Sequence, residues 1–100
     1  MFSIRRLDHV ALCVRDIEHS IQWYQQVLGM ERRHTDLWDG VPALLYAGDA
    51  SLALFPARSA LPDGDLNQTI LHIAFQVSRA DFEAAQVHLQ RLGIAYTFED

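Results

Sequence analysis

The sequence predicts an α+β fold built from paired βαβββ modules, the second of them incomplete. Three observations carry that prediction. A segment near the N-terminus recurs 63 residues later, with His9 falling on His72, Ala11 on Ala74 and Val14 on Val77. Within the first copy the pattern runs from period two to a helical stripe and then to short apolar runs separated by turns. The second copy begins in the same way and stops after its helix. A repeat of this kind is one supersecondary unit used twice.

The first module is assigned to residues 1–56. Residues 6–14 alternate, with Val10, Leu12 and Val14 on one face and His9, Ala11 and Cys13 on the other, as in a strand. Asp16 is placed as an N-cap, and Ile17, Ile21, Tyr24 and Leu28 form one helical stripe. Gly29 is placed to end the helix in the left-handed region. Three strands are expected around 31–37, 42–47 and 50–55, with turns at Asp39-Gly40 and Gly48-Asp49.

Residues 57–69, with Pro62, Gly64, Asp63, Asp65 and Asn67, form the expected linker. The second module covers 70–100: a strand over 70–77, a capping box at Ser78-Arg79-Ala80-Asp81, and a helix with Phe82, Ala85, Leu89 and Leu92 as its stripe. Gly93 ends it, and Ala95-Tyr96-Thr97-Phe98 leaves room for one further strand. Repeating the first module in full would need a chain of roughly 120 residues or more. The expectation is therefore that the C-terminal strands are missing here or come from a partner.

Composition narrows the function classes. The chain has 100 residues and a net charge of -5, which argues against nucleic-acid binding. A single cysteine, Cys13, permits no intrachain disulfide and fits a reducing compartment. No apolar run reaches the length of a membrane span, and the first residues lack a signal-peptide core. A cytoplasmic protein with no membrane or nucleic-acid partner is the expectation.

The faces of the first strands carry the functional argument. His9 with Ala11 and Cys13, and His72 with Ala74 and Gln76, pair an imidazole with small residues that leave space. Ser51, Ala53 and Phe55 are expected on the same face, opposite Leu52 and Leu54. Two imidazoles at repeat-equivalent positions are the start of a metal site. Ala53, Phe55 and Ala74 are expected to line a substrate pocket, with Trp38 closing over its mouth. His34 is left pointing either way. His19 and His88 are read as solvent-facing, and Trp23 and Tyr24 as helix packing.

Leu7-Asp8-His9-Val10-Ala11-Leu12, Asp16-Ile17, Trp23-Tyr24 and Val27-Leu28-Gly29-Met30 together resemble the opening of the vicinal oxygen chelate superfamily. That superfamily holds glyoxalase I, the extradiol dioxygenases, fosfomycin-resistance transferases, methylmalonyl-CoA epimerase and bleomycin-resistance proteins. Leu71-His72-Ile73-Ala74-Phe75-Gln76-Val77 is similar to the start of its second module. The resemblance implies a curved sheet around a divalent metal (Fe, Zn, Ni or Mn), with His9 and His72 as ligands. It implies a third ligand, a Glu, on a strand beyond residue 100. Ala53 stands where the bacterial glyoxalase I pattern has a further Glu, which counts against glutathione-dependent glyoxalase activity.

The expected function is a metal-dependent lyase, dioxygenase or transferase acting on a small substrate with neighbouring oxygens, in a homodimer. Both imidazoles must be neutral to bind metal, so activity is expected to fall below about pH 6. Tyr46, His34 and Cys13 are the candidate bases. The alternatives are a metal-free ligand-sequestering protein of the bleomycin-resistance type and a remnant that only dimerises through its sheet edge.

Overall fold

The computed structural model describes residues 1–57 and 72–98. The chain divides into two units, Met1–Gln68 and Thr69–Asp100.

The first unit is a complete βαβββ module: β1 (Val10–Val14), α1 (Ile17–Leu28), β2 (Glu31–Arg33), β3 (Ala43–Ala47) and β4 (Ala50–Pro56). The sheet order is β1-β4-β3-β2. β1 runs parallel to β4, and the other two pairs are antiparallel. The register Val10↔Leu52, Ala11↔Ala53 and Leu12↔Leu54 sets the faces of the two strands side by side.

Local chemistry fixes the ends of α1. The Asp16 side chain accepts a hydrogen bond from the His19 N–H at 3.1 Å, satisfying one of the orphan donors of the first turn. At the other end Gly29 adopts φ 64°, and the Met30 N–H donates to the Tyr24 carbonyl at 3.2 Å. The expected stripe is met at Ile21 and changes at its end. Val27 and Met30 are buried, with Met30 at 3% exposure, while Leu28 is 40% exposed. The Gly29 turn redirects the chain so that Met30, not Leu28, fills the last sheet-side position.

The core lies between α1 and the helix-facing side of the sheet. Leu45, Leu52 and Leu54 are fully buried there. Leu45 pairs with Leu52, and Ala43 with Leu54, across the β3–β4 hairpin. Its two-residue loop, Gly48-Asp49, uses Gly48 at φ 57°.

Two strands are shorter than the alternation suggests. β1 begins at Val10 rather than residue 6, because its ladder starts opposite Leu52 and the Ser51 hydroxyl takes the Asp8 carbonyl instead. β2 ends at Arg33 rather than residue 37, because His34 turns to φ 60° and leaves the extended region. A 3₁₀ turn, Trp38–Gly40, follows.

In the second unit α2 spans Arg79–Arg91. The Ser78 hydroxyl accepts from the Asp81 N–H at 3.1 Å, which is the expected cap. Its C-terminus is a Schellman motif: Gly93 N–H to Gln90 carbonyl and Ile94 N–H to Leu89 carbonyl, at 3.1 and 3.0 Å. Phe98 returns to α2, its ring 5.8 Å from that of Phe82. The strands expected over 70–77 and near 95–98 are not formed as ladders among the described residues, where neither segment has a strand to pair with. The linker 57–69 lies, after residue 57, outside the described residues. Among the described residues no helix is long and apolar enough to cross a membrane.

Candidate functional site

The sheet face turned away from α1 carries a cleft of about 510 Å³, within the range of small-molecule sites. Its floor comes from alternate residues of the two central strands: Leu44 and Tyr46 on β3, and Ser51, Ala53 and Phe55 on β4. Registers Leu44↔Ala53 and Tyr46↔Ser51 put these side chains on one face. Asp8 and His9 close one side from the segment before β1. The other side is the loop after β2, which supplies His34, Leu37, Trp38, Val41 and Pro42.

Asp8 and His9 form a pair, with Asp8 Oδ2 at 2.8 Å from His9 Nδ1. Neighbouring residues of a regular strand point to opposite faces and cannot meet in this way. The contact exists because the ladder starts only at Val10. The His9 hydrogen bond is the main cause that holds the Asp8 carboxyl below the ordinary carboxylate range; desolvation opposes it, and the charges of His9 and Arg6 add to it. An ionised carboxylate only accepts, so Nδ1 donates in this pair and Nε2 is the ring nitrogen left for another partner.

The loop side is held in unusual backbone. Among the described residues, the non-glycine residues with positive φ are His34, Trp38 and Asp39, at 60°, 50° and 55°. Arg32 Nη2 donates to the Gly40 carbonyl at 3.3 Å and ties the turn to β2. His34 packs edge-on against Tyr46 with ring centroids 5.9 Å apart. The Arg33 guanidinium lies over the Tyr46 ring, 4.8 Å from its centroid, with Nη2 3.4 Å from Glu31 Oε2.

Of the residues named from the sequence, His9, Trp38, Ala53 and Phe55 line this one cleft. His72 and Ala74 belong to the second unit, where both are exposed. Cys13 is exposed and not among the lining residues. Among the described residues no three His, Cys, Asp or Glu lie close enough together to hold a metal ion. His34, left pointing either way and weighed as a base, lines the wall, Tyr46, weighed as a base, lies on the floor, and Leu37, Val41, Pro42 and Leu44 were not anticipated. The apolar residues flanking Asp39-Gly40 were the available signal for the loop. Asp8 carried no signal while residues 6–14 were read as one regular strand.

The Glyoxalase/Bleomycin resistance protein/Dioxygenase superfamily model matches residues 6–99. The chain belongs to this superfamily. Its first unit has the βαβββ order of elements, and α2 lies in its second. Solved structures with the same fold include the fosfomycin resistance protein FosX from Mesorhizobium loti, which is 22% identical with a TM-score of 0.62, over 91% of this chain and 70% of that one. A variant of FosX from Listeria monocytogenes, solved with manganese(II) and 1S,2S-dihydroxypropylphosphonic acid, is 18% identical with a TM-score of 0.66, over 98% and 72% of the two chains. An integron cassette protein from the mobile metagenome of Vibrio cholerae is 21% identical with a TM-score of 0.66, over 99% and 76%. At these identities the likeness is one of fold, which this superfamily shares among many chemistries.

Proposed function

We propose that this superfamily member is a metal-dependent enzyme acting on a small substrate with neighbouring oxygens. The observation that carries the reading is the Asp8–His9 pair on the wall of the cleft. A carboxylate on one ring nitrogen is the usual support of a metal-ligating histidine, since it fixes the tautomer and raises the basicity of the other nitrogen. His9 fits the role of a ligand on this chemistry. The reading takes His72, its repeat-equivalent, as the second ligand and a carboxylate outside residues 1–100 as the third. The manganese(II) in the Listeria relative supports a divalent ion.

A divalent ion held there would act as a Lewis acid on two substrate oxygens. The protein's part is to orient and enclose. Asp8 holds the His9 ring. Trp38 and Phe55 cover an apolar portion of the substrate and keep water away. His34 on the wall and Tyr46 on the floor are the groups able to hold or move a proton beside the ligand. β1 is an edge strand of the sheet, which supports pairing with another module, within one chain or across a homodimer.

A metal-free, ligand-sequestering protein is the second reading, favoured by the apolar walls and the lack of a three-ligand cluster among the described residues. Elemental analysis of protein purified without added metal or chelator separates the two. About one divalent ion per site, lost in both His9→Ala and His72→Ala, supports the enzyme. Metal retained by His72→Ala, or none bound after incubation with several ions, rejects it.

A further inference from the structure

We propose that Arg32, which stands on the helix side of the sheet and does not line the cleft, is the positioning residue of the cleft's loop wall. The proposal rests on the reading of the cleft as a ligand site, and it is independent of the metal.

Packing alone does not ask for an arginine at this position. Arg32 is the middle residue of β2 and pairs with Leu45, which is fully buried. Residues directly opposite each other in an antiparallel pair share a face, so Arg32 stands beside the core. An aliphatic side chain would serve there. The guanidinium instead carries a cost, because its Nε is buried and has no hydrogen-bond partner among the described residues. The return on that cost lies at the end of the same side chain. Arg32 Nη2 donates to the Gly40 carbonyl at 3.3 Å. A Cβ built on Gly40 would lie 3.4 Å from that nitrogen, so the guanidinium is packed against the turn itself.

That turn needs a tether. Trp38, Asp39 and Gly40 follow one another at φ 50°, 55° and 77°, and the first two pay for that region as non-glycine residues. The backbone bonds of the loop close on the loop itself: Leu37 N–H to the His34 carbonyl, Gly40 N–H to that of Leu37, and Val41 N–H to that of Trp38. Burial holds it weakly, since Leu37, Trp38 and Val41 are 40%, 63% and 43% exposed. His34 meets the Tyr46 ring where the loop begins. Among the described residues, the hydrogen bond that joins the far part of the loop to the sheet is the one from Arg32. Leu37, Trp38 and Val41 are part of the cleft wall. Arg32 therefore fixes, from the opposite face of the sheet, where that wall stands.

The test reads the wall through its own indole. The chain has two tryptophans, so Trp23→Phe leaves Trp38 as the reporter and Trp38→Phe leaves Trp23 on α1. Time-resolved fluorescence anisotropy is measured on the full chain in both backgrounds, in the presence of EDTA. Arg32→Met keeps an apolar stem and removes the donor. It should at least double the share of Trp38 anisotropy lost to subnanosecond motion and leave that of Trp23 unchanged. Arg32→Lys, whose ammonium can still donate to the Gly40 carbonyl, should restore most of the restraint. Unchanged Trp38 motion in a folded Arg32→Met protein overturns the proposal. So does an equal gain of motion at Trp23, which would make Arg32 a support of the whole unit, or equal Trp38 motion in Arg32→Lys and Arg32→Met. Circular dichroism checks folding. Should Arg32→Met not fold, Arg32→Gln, whose amide ends well short of a guanidinium's reach, is read by the same criteria, and loss of the fold in both overturns the proposal. Failure of the metal reading appears separately, in the metal content.

Discussion

Asp8 Oδ2 lies 2.8 Å from Nδ1 of His9, and the two residues are adjacent in sequence. The pair is possible only ahead of the ladder, where consecutive side chains are not forced to opposite faces. If His9 ligates a metal through Nε2, Asp8 acts on the ion through the ring. Asp8→Ala should then weaken divalent-ion affinity by about 10- to 100-fold. Asp8→Asn, which keeps an acceptor oxygen but loses the charge, should cost less. Competition with a chromogenic chelator measures both; identical affinities in parent and Asp8→Ala would remove Asp8 from the site.

The same pair sets an acid limit on stability. Asp8's carboxyl is lowered from its ordinary 3.8, chiefly by the hydrogen bond to His9. A carboxyl lowered in the folded state contributes stability above its unfolded value and loses it as pH falls through the folded one. The contribution is therefore whole above about pH 5 and is lost as pH falls through the folded value. The difference between parent and Asp8→Asn in chemical denaturation should be present at pH 5 to 6 and shrink as pH falls through the carboxylate range. A difference that persists at the acid end would mean that packing, not ionisation, separates the two proteins.

Gly29 supplies a test of the first helix end. Its φ of 64° requires the left-handed region, and an added Cβ would meet nothing within 4 Å. The cost of a side chain is thus backbone strain alone. Gly29→Ala should destabilise by about 1–2 kcal/mol and Gly29→Asn by less, since Asn tolerates this region. Thermal melts of the three proteins rank them, and an unaffected alanine variant would show that the turn relaxes to another conformation.

What was legible in the sequence follows from which interactions are local. Asp16, Gly29, Ser78 and Gly93 act on backbone within a turn of themselves, so both helices could be bounded from the sequence. Leu52 and Leu54 against Ser51, Ala53 and Phe55 declare the two faces of β4 through period two alone. The ends of β1 and β2 depend on where a partner strand starts and on His34 entering a region that its residue type does not demand. The loop wall of the cleft followed from that turn and was hidden with it. For His72 the sequence offers the repeat register, and the proposal that it shares a metal with His9 still stands on that register.

The last prediction concerns what holds the cleft floor in place. Leu45 and Leu54 are fully buried between α1 and the sheet, on the strands whose opposite faces carry Leu44, Tyr46, Ala53 and Phe55. A strand cannot shift on one face without moving the other. Truncating either leucine leaves a cavity under the floor and should cost about 2–5 kcal/mol. Leu45→Ala is expected to be near the upper end, because its partner Leu52 is also buried and has no solvent into which to relax. In a unit of this size that is a large part of the total stability. Urea denaturation should therefore show a much lower midpoint for Leu45→Ala, while Phe55→Ala, at the partly exposed end of β4, should change it far less. If the two substitutions cost the same, the helix-side leucines are not the support of the site, and the cleft is held instead by its own walls.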